Sequence, residues 1–200
     1  MIEFACYGCG RKFLAPDEFA GRRAKCNTCG AALEVPPRPS PQTSVRNRRL
    51  KADAEQIVAS LAAAPLVRVV EALGEPPDRY RIEYLVKSIE KMKRNKPTFR
   101  EQHLVEIQLT AEYPRVGPKC KMLTPIFHPN IDESSVCVGD HWTAGERLGD
   151  LIFRIGEMLA YQAYNIKSPL NGEAAMWADL HQEELPVDPR PVRPAEVDAV

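Results

Sequence analysis

Apolar and polar positions alternate in two different rhythms along this chain. Between Val45 and Ala63, the residues Leu50, Ala54, Ile57, Val58 and Leu61 recur at helical spacing. They predict one buried stripe on a helix that Pro65 helps to end. Residues 66–74 are rich in Val and Leu, and periodicity alone does not separate helix from strand there. Tyr80, Ile82, Tyr84 and Val86 then alternate with Arg81, Glu83 and Lys87, and Val105, Ile107 and Leu109 alternate with Glu106, Gln108 and Thr110. Both are strand patterns. The polar stretch Lys91–Arg100, with Asn95 and Pro97, reads as a hairpin-type connection. A third strand is expected around Lys119–Leu123, after the Tyr113-Pro114 and Gly117-Pro118 turns. Beyond Cys137 the rhythm is helical again, with a stripe of Leu148, Leu151, Ile152, Ile155, Met158 and Leu159. Asn171 is placed to cap a last helix through about Glu184, with Trp177 and Leu180 facing inward. The order is helix, antiparallel strands, loop, helices, an α+β layout.

Composition divides the chain further. Two hundred residues allow one ordinary domain and something small. Residues 1–35 carry a cysteine cluster. Residues 36–44, Pro-Pro-Arg-Pro-Ser-Pro-Gln-Thr-Ser, read as a linker that spans about 28 Å as polyproline II. Residues 45–185 hold the main domain, and 186–200, rich in Pro, Val and charge, are expected to fray. The formal net charge of zero gives no global field to recruit nucleic acid or membrane. No apolar run approaches a membrane span, and the first residues lack the regions of a signal peptide. A cytoplasmic protein with reduced thiols is expected. Locally the charge is uneven: Arg46, Arg48, Arg49 and Lys51 fall together with no acid between them.

Cys6-Tyr7-Gly8-Cys9 and Cys26-Asn27-Thr28-Cys29 form two C-x2-C pairs with sixteen residues between them. Each pair lets two thiolates bind one ion from a tight knuckle, and Gly8, Gly10 and Gly30 supply backbone freedom. Four thiolates favour tetrahedral Zn²⁺. A unit this small buries too little surface to fold alone, so metal binding would supply its folding energy. The site is read as structural, and the basic residues Arg11, Lys12, Arg22, Arg23 and Lys25 offset its negative charge. Protein docking or spacing is preferred over nucleic-acid binding for this ribbon.

Outside the ribbon there are only two thiols, Cys120 and Cys137. Cys120 lies in a predicted strand and reads as a small buried hydrophobe. Cys137 follows the turn His128-Pro129-Asn130 by a short loop, which makes it a candidate for carrying an acyl group as a thioester. Attack on that thioester by an amine builds a tetrahedral oxyanion, and a fixed amide near the thiol would stabilise it. Asn130 fits this role, and it also fits that of a turn former. His128 reads as a hydrogen-bonded support for the turn in preference to a base.

From Tyr113 to Trp177 the chain resembles the ubiquitin-conjugating enzyme family. The resemblance rests on Tyr113-Pro114, Gly117-Pro118-Lys119, His128-Pro129-Asn130-Ile131, Cys137, Trp142, and Asn165 through Pro169-Leu170-Asn171-Gly172-Glu173-Ala174-Ala175. With the upstream helix and strands it covers about 140 residues. The ribbon makes the chain similar to bacterial members of ubiquitin-like conjugation systems. The resemblance implies that Cys137 accepts a ubiquitin-like modifier from an activating enzyme and passes it to a substrate lysine. It implies Asn130 as oxyanion donor and Ser168 as a gate, with Pro129 in the supporting turn and Asn165 along the lysine path. It places Arg46, Arg48, Arg49 and Lys51 where the family meets its activating enzyme. Charge reversal at Arg48 and Arg49 is then expected to slow loading.

The chain also departs from the family pattern. The Asn130–Cys137 loop is about one residue short, and the Cys137–Trp142 stretch about three. Arg115 and Thr143-Ala144-Gly145 stand where typical members contact RING or HECT ligases, so such docking is not expected. Two other readings are a non-catalytic adaptor, against which Cys137 itself argues, and a cysteine hydrolase using His128 or His141. The modifier, the acceptor and the oligomeric state are not encoded in these motifs.

Overall fold

The computed structural model describes residues 1–37, 41–138 and 142–194. It divides into two compact units, Met1–Val45 and Arg46–Val200.

The first unit is two short hairpins. Strands β1 (Ile2–Ala5) and β2 (Lys12–Ala15) pair antiparallel, as do β3 (Arg23–Lys25) and β4 (Ala32–Glu34). Phe4 stacks on Phe13 across the first pair, with ring centroids 5.7 Å apart. The two hairpins repeat one local design at their turns. The amide of Cys6 donates to the Arg11 carbonyl and that of Gly10 to the Cys6 carbonyl, as Cys26 does to Ala31 and Gly30 to Cys26. Gly10 and Gly30 adopt φ of 73° and 72°, which side chains disfavour. Gly8 is needed for space instead: a Cβ there would lie 3.1 Å from the Ala31 Cβ.

The second unit begins within helix α1 (Pro41–Leu61). Its start at Pro41 shortens the expected 36–44 linker, because a proline suits the first turn of a helix, where its missing N–H is not needed. Residues 38–40 lie outside the described residues. Next come β5 (Val67–Gly74), β6 (Pro77–Tyr84), β7 (Ser88–Lys93), β8 (Lys96–Arg100), β9 (His103–Gln108) and β10 (Lys119–Met122). Helices α2 (Leu148–Leu159) and α3 (Gly172–Leu180) follow. The ambiguous 66–74 stretch is therefore a strand. The main sheet has the order β10-β9-β6-β5, all antiparallel. The polar connection at 91–100 belongs to a separate hairpin of β7 and β8, turned by Arg94 and Asn95 with φ of 51° and 62°. This two-residue turn matches the natural twist of the strands.

One apolar core joins these layers. Leu50 and Ile57 of α1, Ile82 and Tyr84 of β6, Val105 and Ile107 of β9, and Leu151, Ile152, Ile155 and Leu159 of α2 are all buried in it. Each such side chain contributes about 1.5–3 kcal/mol when taken from water. Tyr84 carries a hydroxyl into the core and satisfies it on the Ile152 carbonyl, 2.9 Å away. Gly156 lets α2 approach: a Cβ there would meet the Tyr84 ring at 3.0 Å and the Val192 side chain at 2.5 Å.

Val192 also corrects the expected frayed tail at 186–200. It is buried in the core, and Asp188 is buried as well. Gln162 donates to the Asp188 and Arg190 carbonyls, Arg190 donates to the Leu85 carbonyl, and Arg193 pairs with Asp150 at 2.7 Å. Residues 186–194 are thus fastened by polar contacts to the backbone, while 195–200 lie outside the described residues. Two other expectations fail in the opposite sense. Val58 of α1 is 73% exposed and Leu180 of α3 is 72% exposed. The last helix ends at Leu180, with a short 3₁₀ turn at Gln182–Glu184.

Candidate active site and metal centre

The loop carrying Cys137 is a small closed structure. Ile131 bridges both His128 and Val136, the Val136 amide donates to the Cys120 carbonyl of β10, and the Cys137 amide donates to the Asn130 carbonyl at 2.8 Å. At the tip, Asp132 Oδ1 accepts from the Ser134 amide, the Ser134 hydroxyl and the Ser135 amide, each at 2.7 Å. The bonds from Ser134 and then from Ser135 hold the Asp132 carboxyl below its ordinary pKa. This Asx-type turn lets the eight-residue segment from Asn130 to Cys137 double back on itself. Cys137 is half-buried.

His128, Pro129 and Asn130 each serve the turn with a different group. The His128 ring is fully buried, accepts the Asn130 amide on Nδ1 at 3.1 Å, and packs on Tyr161 at 4.6 Å. Burial pushes its pKa down to about 3, against a smaller pull from the Met158 backbone. The ring is therefore neutral, and its proton sits on Nε2. With Nδ1 engaged and the ring sealed from solvent, His128 is built as a support. The Pro129 carbonyl accepts from the Leu170 and Asn171 amides at 2.9 and 3.0 Å. Asn171 in turn caps α3, its side chain accepting from the Ala174 amide at 3.0 Å.

The Asn130 side chain makes a two-point clip. Its Nδ2 donates to the Asn165 carbonyl at 2.6 Å, and its Oδ1 accepts from the Asn165 amide at 2.7 Å. The complementary Asn165 backbone fixes which end of the amide is which. The second Nδ2 hydrogen is not used in this clip. Asn165 uses its own side chain to accept the Lys167 amide at 2.8 Å. Sequence reasoning brought Asn130 and Asn165 to one place, but the contact is through the backbone of Asn165, which no residue type encodes. Ser168 is exposed on this second loop. His141 lies outside the described residues. Cys120 is buried, and burial pushes its thiol up to about 12, so it is inert beside Cys137.

The four basic residues of α1 separate into two pairs. Arg46 donates to the Thr110 and Leu109 carbonyls and pairs with Asp78 at 3.1 Å. Arg49 pairs with buried Asp53 at 2.8 Å, lies over the Tyr113 ring, and donates to the Ala144 and Glu146 carbonyls. Tyr113 completes the cluster by donating to Asp53 at 2.5 Å, and Trp142 donates to the Pro114 carbonyl at 2.8 Å. Arg46 and Arg49 are therefore committed inside the unit. Arg48 and Lys51 are exposed.

In the first unit, the Sγ atoms of Cys6, Cys9, Cys26 and Cys29 all lie within 4.8 Å of one another. Cys6 and Cys29 are 3.6 Å apart, and Cys9 and Cys26 are 3.7 Å apart. A tetrahedron of Zn–S bonds places its sulfurs about 3.8 Å apart. The Gly8 and Thr28 amides point at the Cys6 and Cys26 sulfurs, at 3.3 and 3.4 Å, as donors to thiolates. The four residues fit a metal ion of this kind.

Residues 88–185 match the family model described as ubiquitin-conjugating enzyme. A solved structure, S. cerevisiae Ubc12, aligns with a TM-score of 0.50 and 24% sequence identity, covering 70% of this chain and 74% of that one. The second unit has the ubiquitin-conjugating-enzyme fold. Among curated relatives, the NEDD8-conjugating enzyme ubc12 of Schizosaccharomyces pombe (strain 972 / ATCC 24843) is 38% identical over 81 residues, 38% of this chain and 44% of that protein. Ubiquitin-conjugating enzyme E2 N of Macaca fascicularis is 33% identical over 78 residues, 36% of this chain and 50% of that protein. The chain thus spans about half the length of the curated relatives it matches or less. The α+β fold expected from the sequence, with a cysteine cluster ahead of it, is the fold observed. Among the described residues, no helix is long and apolar enough to cross a membrane.

Proposed function

We propose that this chain is a ubiquitin-like-protein conjugating enzyme. The observation that carries the reading is the setting of Cys137. It is the half-buried thiol of the fold, set by one amide bond beside the Asn130 clip, while Cys120 is sealed away. The Cys137 thiolate attacks the thioester carbonyl of a modifier held on an activating enzyme, a new C–S bond forms, and the enzyme's thiolate leaves. An acceptor amine, taken to be a lysine, then attacks that carbonyl, loses its proton, and releases the Cys137 thiolate. The free Nδ2 hydrogen of Asn130 is the donor we assign to the tetrahedral oxyanion, with Ser168 as a gate over the approaching amine. Arg48 and Lys51 carry the contact with the activating enzyme, since Arg46 and Arg49 are engaged within the unit. The ribbon holds structural Zn²⁺ and docks a protein partner in place of a conventional ligase. A cytoplasmic setting and kinship with bacterial conjugation systems belong to the same reading.

The test is to incubate the full chain with an activating enzyme, ATP and a candidate modifier, and to resolve the products without reductant. A thiol-sensitive adduct that disappears in Cys137→Ala supports the reading. An adduct that survives this change overturns it. Modifier binding without an adduct would instead make the chain an adaptor, and cleavage of a modifier thioester without an amine would make it a hydrolase.

A further inference from the structure

Val138, the residue after Cys137, is bound by a side chain from α2. Arg154, in the middle of α2, donates from Nη2 to the Val138 carbonyl at 3.0 Å and pairs through Nη1 with the Glu146 carboxylate at 2.9 Å. Val138 directly follows Cys137, and Glu146 lies just ahead of α2. One guanidinium therefore binds both Val138 and Glu146. The far end is fixed a second time by Arg49, which binds the Ala144 and Glu146 carbonyls. At the near end the Val138 side chain packs against the core. Among the described residues, the Val138 carbonyl has Arg154 as its hydrogen-bond partner.

This use of Arg154 is not what its helix position dictates. Asp150 stands four residues before it and Glu157 three after, and an arginine so flanked ordinarily pairs along its own helix. Both acids are taken by Arg193 instead, at 2.7 and 3.6 Å. Arg154 is left to turn toward the loop, where it is 33% exposed and Glu146 only 13%. A planar fork with several donors suits two acceptors at once, which a single ammonium does less well.

We propose that Arg154 is a positioning residue for Cys137, clasping the Val138 carbonyl that follows it to Glu146. On the preceding side the thiol is anchored by the Cys137 amide on Asn130. On the following side its backbone is anchored by Arg154. Both anchors are needed to hold Sγ at a fixed place relative to the Asn130 amide, and displacement by about 1 Å can cost 10²-fold in such chemistry. The consequence for transfer rests on the thioester reading above. The clasp itself does not, and the experiment separates the two.

Full-length Arg154→Met, Arg154→Lys and Glu146→Gln are compared with the unaltered chain. Hydrogen exchange at residues 137, 138 and 142–146, and alkylation of Cys137 by iodoacetamide read by mass spectrometry, need no activating enzyme. Arg154→Met is expected to speed both at least about threefold, with Arg154→Lys between it and the unaltered chain. Single-turnover loading at saturating charged activating enzyme is expected to fall about tenfold in Arg154→Met with KM unchanged, to recover partly in Arg154→Lys, and to stay within about twofold in Glu146→Gln. If Arg154→Met does not fold, the Arg154→Lys intermediate values decide. Unchanged exchange, alkylation and loading in the arginine variants would overturn the clasp while leaving the thioester reading intact. Absence of any adduct in the unaltered chain would sink the thioester reading, and exchange and alkylation would still decide the clasp.

Discussion

Both units carry cysteines, and they place them in opposite ways. In Met1–Val45 four sulfurs converge at two hairpin tips, with amides aimed at Cys6 and Cys26. The apolar support around them is small: Cys6, Cys26 and Leu33, with Phe4, Phe13 and Ala31 packed alongside. In Arg46–Val200 a continuous core runs from Leu50 to Val192, and one thiol is held at its edge by backbone bonds. A cysteine suits a metal ion where its neighbours are other sulfurs at ligand spacing. It becomes a nucleophile candidate where the fold stands without it.

The sharpest way to break that contrast is to remove one ligand. Cys26→Ser in the full chain should lower bound zinc from about one per chain toward zero, and the amides of residues 2–34 should lose their exchange protection. The thermal transition of the second unit should move by no more than about 2 °C, because its core contains none of the four sulfurs. A joint collapse of both units would refute their independence.

Acid tests the second unit from within. His103 and His128 are fully buried, and burial lowers their pKa values to about 4 and about 3. Unfolded, each titrates near 6.5. Between pH 6.5 and 4 the unfolded chain binds protons that the folded chain refuses, so stability is full above pH 6.5 and falls as the pH drops. The slope reaches about 1.4 kcal/mol per pH unit for each histidine. Urea midpoints from pH 8 to 4.5 should show this decline, and His103→Gln should remove about half of the slope.

A smaller effect separates the two kinds of arginine on α1. Arg49→Ala leaves the Asp53 carboxylate buried without its cation, at a cost of about 3 kcal/mol. Arg48→Ala should stay within about 0.5 kcal/mol, while slowing loading from the activating enzyme. Chemical denaturation of both variants checks the first claim, and loading rates check the second. Equal destabilisation by the two changes would contradict the division.

The basic run 46–51 shows how far composition reads. It marks a run of like charge, yet side-chain type says nothing about which charges turn inward. That depended on Asp53, Asp78 and a set of backbone carbonyls brought in from elsewhere in the chain. The strands at 80–86 and 105–109, the stripe on α2, the Asn171 cap and the cysteine spacing were all legible, because each follows from a short-range period or a local hydrogen bond. The Asn130–Asn165 clip, the Arg154 clasp and the docked tail were not. Each joins a side chain to a distant backbone group, and every residue offers the same backbone.

The same logic explains the two misplaced apolar residues. Ile57 and Val58 are adjacent, so on a helix they point about 100° apart and cannot share the centre of one face. Leu50, Asp53 and Ile57 form the buried line instead, at spacings of three and four. A count of apolar residues discards Asp53, but Arg49 and the Tyr113 hydroxyl satisfy it there. On α3, Ala174, Ala175 and Ala178 take the buried face, and Leu180 falls outside it. Val58→Ser and Leu180→Ser should therefore each change stability by less than about 0.5 kcal/mol. Ile57→Ser, one residue away, should cost several times more, since it puts an unpaired hydroxyl and a void into the core. Denaturation midpoints that rank Val58→Ser with Ile57→Ser would show that the α1 face is assigned wrongly.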